Sequence, residues 1–86
     1  MEPHPSTTEA RILVEAPREI VDILIAALKP ELASGISDRS RVVLERSDRG
    51  LVIRAVADDV TALRAAVNSY LYWVQGIMDI GGRMNA

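Results

Sequence analysis

The fold is decided in the middle of the chain, which reads RVVLERSDRGLVIRAVA over residues 41–57. Two runs rich in β-branched residues flank a short polar segment, and such runs favour paired β-strands. Gly50 ends the polar segment and can adopt the left-handed backbone conformation that a tight turn requires. The stretch therefore predicts a β-hairpin. Alternation assigns its residues to an inward face (Val42, Leu44, Leu51, Ile53, Ala55) and an outward face (Arg41, Val43, Glu45, Val52, Arg54, Val56).

The segment before the hairpin supplies a third strand and a helix. Apolar and charged residues nearly alternate over 9–15, which predicts a half-buried strand. Pro17 suits the first position of a helix, because its missing N–H has no intrahelical partner there. Pro30 disfavours helical geometry at the residue before it, so we expect this helix to end at about Lys29, with a loop over 34–39.

The segment after the hairpin supplies a long second helix. Asp58 and Asp59 suit its N-cap and first turn, and the pair Gly81-Gly82 suits its C-cap, so we expect a helix over about 59–80. The element order is then β-α-β-β-α. With short connections this order predicts an α+β fold: a three-stranded antiparallel sheet, its first strand paired with its third, and two helices packed on one face.

Length and composition restrict the classes of function. The chain has 86 residues, a net charge of −2 and no cysteine. This length allows one domain, predicted over 9–80 between a disordered tail at 1–8 and a C-terminal tail at 81–86, and it excludes a Rossmann fold or a TIM barrel. The absence of cysteine excludes thiolate nucleophiles and zinc knuckles. The polar, acidic start and the lack of a long apolar run predict a cytoplasmic protein without a membrane segment.

Residues with catalytic or ligating chemistry do not form a recognisable set. The chain's one histidine, His4, lies in the proline-flanked tail, so Ser69 has no partner base. Gly81-Gly82 does not form a phosphate-binding loop, because no strand precedes it. Scattered acids offer no metal-ligand spacing. We expect no metal and no cofactor, and we predict a protein that is not an enzyme.

The second helix carries the signal for function. At about 33 Å it is longer than a six-residue strand of about 20 Å, so its end must extend beyond the sheet. That end reads YLYWVQGIMDI over 70–80, in which Gln75 and Asp79 are the strongly polar residues. A helix that is apolar on nearly every side needs burial on nearly every side. We therefore expect assembly, including a homodimer.

Two stripes can be separated on this helix. One stripe suits the intrachain core and contains Val60, Leu63, Val67, Tyr70 or Leu71, Val74 and Ile77. A neighbouring face of mostly small residues would let another helix approach closely. Alternatively, the alanines only raise helix propensity and Trp73 folds back onto its own core. With the surplus apolar residues of the first helix, the predicted partner interface comprises Val21, Ile25, Leu28, Ala62, Ala66, Ser69, Tyr72, Trp73, Gly76, Ile77 and Ile80.

Two other classes of function stay open. In a small RNA-binding module, the hairpin arginines Arg41, Arg46 and Arg54 would contact phosphate, although the net charge offers no general attraction for polyanions. The clamping Gly-x-x-Gly loop of KH domains is missing from the sequence. In a ligand-binding regulatory domain, the dimer would enclose a small molecule, but the sequence has no glycine-rich loop or convergent polar groups to hold one.

Several segments of the chain resemble a known family. They are the start of the first strand (10–12), the end of the first helix (Ala27-Leu28-Lys29-Pro30-Glu31), the strand 51–55 and, above all, LRAAVNSYLYW over 63–73. Together they resemble the Pcc-type small subunit of the archaeal KEOPS complex, which is related to the cancer/testis antigen family. The resemblance covers about residues 10–75, and its Asn-Ser-Tyr-Leu-x-Trp segment is the most specific part.

The resemblance implies a function that composition and residue spacing alone do not indicate. It implies a β-α-β-β-α protein without an active site, which self-associates and docks its helices on the ASKHA-fold threonylcarbamoyl transferase of KEOPS. The complex forms N6-threonylcarbamoyladenosine in tRNA, and tRNA would be held through the complex. Asn68, Ser69, Tyr70, Leu71 and Trp73 match the signature helix. Position 72, often basic in the family, is tyrosine here.

Overall fold

The computed structural model describes residues 7–34 and 39–84. They form a three-stranded antiparallel sheet, with strand order β1-β3-β2, and two helices. This confirms the predicted α+β fold and the pairing of the first strand with the third. The elements are β1 (Thr8–Glu15), α1 (Arg18–Ser34), β2 (Ser40–Ser47), β3 (Gly50–Ala57) and α2 (Val60–Met84).

The hairpin forms where the sequence predicts it, with each strand slightly longer. Ser47 pairs with Gly50 across a two-residue turn, and Gly50 has a φ of 151°. Only glycine adopts this conformation readily, which confirms the reason for a glycine at the turn. Strand β1 already begins at Thr8, one residue inside the predicted tail, and residues 1–6 of that tail lie outside the described residues.

The inward faces of the strands and both helices share one core. The predicted alternation holds in all three strands: Ile12, Val14, Val42 and Leu44 pack against the core from the outer strands, while Leu51 and Ile53 of β3 are fully buried. Both helices cover this face, so the opposite face, called here the open sheet face, has no helix on it. The buried core cluster comprises Val21, Leu24, Leu28, Leu51, Ile53, Tyr70 and Val74.

Helix α1 differs from the prediction in where it ends and in which of its sides faces the core. It continues through Pro30 to Ser34, because the extra turn lets Leu32 pack against the core. Val21, predicted to lie at the partner interface, is 3% exposed, whereas the nearby Ile23 is 46% exposed. The helix is apolar at so many positions that its sequence does not determine which stripe faces inward.

Helix α2 begins one residue later and ends later than predicted. The N-cap is Asp59 and not Asp58: its carboxylate accepts a hydrogen bond from the Ala62 N–H at 2.8 Å, and its carbonyl accepts one from the Leu63 N–H at 3.0 Å. The helix passes through Gly81 and Gly82 to Met84 without the positive φ of a glycine C-cap. It is about 37 Å long and the strands about 26 Å, so the predicted overhang is present.

Candidate protein-protein interface

A groove runs between the C-terminal parts of the two helices, and we call it the helical groove. Its volume is about 570 Å³, and it is open to solvent along its length. Helix α1 contributes one wall and helix α2 the other, and the buried Leu28 lies at its floor. The residues that line it are Ala27, Leu28, Glu31, Tyr72, Trp73, Gln75, Gly76, Ile77, Asp79 and Ile80.

Trp73 links this groove to the core. Its ring meets that of Tyr70 edge to face, with centroids 5.1 Å apart and planes at 74°. Tyr70 is buried, and its burial, together with the nearby Glu31 carboxylate, raises the pKa of the phenol above its ordinary value. Trp73 itself is half-buried, so its own chain fixes one part of the indole and leaves another part at the groove.

The α2 wall of the groove exposes large apolar side chains. Tyr72 is 75% exposed and Ile80, about two turns further along the helix, is 60% exposed. Gly76 lies between them, and a Cβ placed there would meet no atom within 4 Å. A helix from a partner could therefore approach the α2 backbone closely at this point, as helices separated by 8–10 Å do. Apolar surface that is contiguous in this way is typical of an interaction site.

The predicted interface residues divide between the groove and the core. The groove gathers Tyr72, Trp73, Gly76, Ile77 and Ile80. Val21 at 3% exposure and Ala66 at 0% are buried in the core away from the groove, and Leu28, also 0% exposed, lies beneath the groove lining. Ile25 packs partly buried against the core, and Ala62 and Ser69 are half-buried on α2 outside the groove lining.

Four groove residues were absent from the sequence-based set. Ala27 and Glu31 are one turn apart on α1, and Gln75 and Asp79 are one turn apart on α2. Spacing of i and i+4 places side chains on the same side of a helix. These pairs could have been found only once the rotation of α1 was known, because the groove depends on how the two helices face each other.

The three hairpin arginines do not form a single patch. Arg46 points toward α1, where its guanidinium contacts Asp22 at 2.6 Å. Arg54 lies on the open sheet face between Glu45, at 3.3 Å, and Glu9, at 3.9 Å. Arg41 shares that face and is exposed. Two of the three cations are thus engaged by carboxylates of the same chain, which disfavours the RNA-binding alternative.

Two further features are absent from the described part of the chain. Within residues 7–34 and 39–84, no three His, Cys, Asp or Glu side chains are placed to hold a metal ion together. None of the helices in this part of the chain is long and apolar enough to span a membrane.

Comparison with known proteins gave one family and one relative. The family profile described as "Transcription factor Pcc1" matches residues 3–80. A curated protein from Pyrococcus abyssi (strain GE5 / Orsay), described as "KEOPS complex subunit Pcc1", is 34% identical over 77 residues. That alignment covers 88% of this chain and 94% of the relative.

Proposed function

The chain belongs to the Pcc1 family, and on that premise we propose that it is a non-catalytic accessory subunit of a KEOPS complex. In this role it binds the ASKHA-fold threonylcarbamoyl transferase and supports formation of N6-threonylcarbamoyladenosine in tRNA. It acts in the cytoplasm and contributes no residue to the chemistry. Its contribution is a surface that holds the transferase in the assembly.

The observation that carries the proposal is the exposed apolar wall of the helical groove. Tyr72 and Ile80 expose 75% and 60% of their surface beside the half-buried Trp73. Burial of aromatic anchors of this kind provides much of the binding energy of protein interfaces, often about 2 kcal/mol or more for one residue. A groove between two helices, with an approachable backbone at Gly76, suits a helix of the partner.

The proposal includes a homodimer of the isolated chain through an edge of the sheet. β1 and β2 are the outer strands, and each has one side without a paired strand in the described part of the chain. Such edges readily pair with a second copy. Light scattering on the purified chain should give the mass of a dimer. A mass of 9.4 kDa across micromolar concentrations would remove this part of the proposal.

The transferase contact can be tested by filling the open space at Gly76. In the variant Gly76→Leu, the new side chain meets no atom of its own chain near its Cβ, so the fold should be retained. The side chain would stand in the groove and block a partner helix. Titration calorimetry with the cognate transferase subunit should show at least about a hundredfold loss of affinity.

The matched control places the same leucine elsewhere on α2. Thr61 is exposed near the start of α2 and does not line the groove, so Thr61→Leu places the same isobutyl side chain outside the groove. It should bind the transferase like the wild type. The proposal fails if both variants bind normally, or if the wild-type chain does not bind the transferase at all.

A further inference from the structure

We draw no further inference here: the strongest candidate, the outer edge of strand β1, which has no paired strand in the described part of the chain, belongs to the homodimer interface already proposed.

Discussion

The open sheet face and the helical groove differ in how their exposed side chains are paired and covered. On the open sheet face, Arg54 lies at the centre with Glu45 and Glu9 on either side, and its apolar neighbour Val52 is half-buried. In the helical groove, Tyr72 and Ile80 remain exposed about two helical turns apart. On the sheet face the central cation Arg54 is matched by carboxylates of the same chain, whereas the groove leaves its apolar surface for another molecule to cover.

The difference lies in contiguity more than in the amount of exposed apolar surface. Leu13 and Val43 on the open sheet face are 40% and 38% exposed, but they lie on the two outer strands with Arg54 and Val52 of β3 between them. Single exposed apolar residues are ordinary on a protein surface. A groove in which Tyr72, Trp73, Ile77 and Ile80 lie together between two helices is less ordinary, and this distinguishes an interface from a solvated face.

The largest expected effect is on the free energy of unfolding, and it contrasts a glycine of the sheet with a glycine of the groove. At Gly50, the first residue of β3, a Cβ would clash with the Val14 carbonyl oxygen and lie 2.9 Å from the Ala16 nitrogen, both backbone atoms. Gly50→Ala should therefore lower the free energy of unfolding by about 3 kcal/mol or more. At Gly76, in the groove, Ala meets nothing and should raise it by about 0.5–1 kcal/mol.

Urea unfolding followed by circular dichroism measures both variants. The opposite signs test whether the groove at Gly76 is open space in solution. If Gly76→Ala destabilises the chain as Gly50→Ala does, another part of the chain must cover Gly76. The groove would then be covered by its own chain and would no longer differ from the open sheet face in needing a partner.

A smaller effect tests the charges of the open sheet face. Arg54→Met leaves Glu9 and Glu45 without their cation and should cost about 1 kcal/mol or less, because the pairs are solvent-exposed. The cost should fall at 1 M salt and affinity for the transferase should not change. Arg11 pairs in register with Arg54 and makes no ion pair with a described residue, so Arg11→Met is the control and should have almost no effect.

The sheet could be predicted from the sequence because its information is local. Alternation with a period of two assigns each residue to a face, and one turn glycine sets the register of β2 and β3. Both signals survive in the structure, in the alternating burial of β1 and in the positive φ of Gly50. The long second helix could be predicted for the same reason, from its period and its acidic start.

The groove could be predicted only in part, because it depends on how the two helices face each other. Trp73 and Ile80 were found from the excess of apolar residues near the end of α2. Val21 was misplaced, because α1 is apolar on several sides and its rotation is set by contact with the sheet. The predicted end of α1 at about Lys29 was wrong for a similar reason. Packing of Leu32 against the core favours one more helical turn, against the local preference of Pro30.

The smallest expected effect comes from the core beside Trp73, where pH should change stability through the buried Tyr70. Burial, and then the Glu31 carboxylate, raise the pKa of its phenol in the folded state above the value of about 10 expected in the unfolded chain. The folded state therefore holds this proton more tightly. Its contribution to stability is complete below pH 10 and is lost as the pH rises from there through the folded pKa.

Urea unfolding between pH 8 and about pH 11 should show this loss in the wild type and a smaller one in Tyr70→Phe, which has no phenol to ionise. Tyr72→Phe, at a 75% exposed ring, is the control and should follow the wild type. Glu31→Gln should reduce the loss without removing it, because burial is the larger cause. Parallel curves for wild type and Tyr70→Phe would mean that water reaches the phenol, and Trp73 would then lack a dry core residue to hold its indole at the groove.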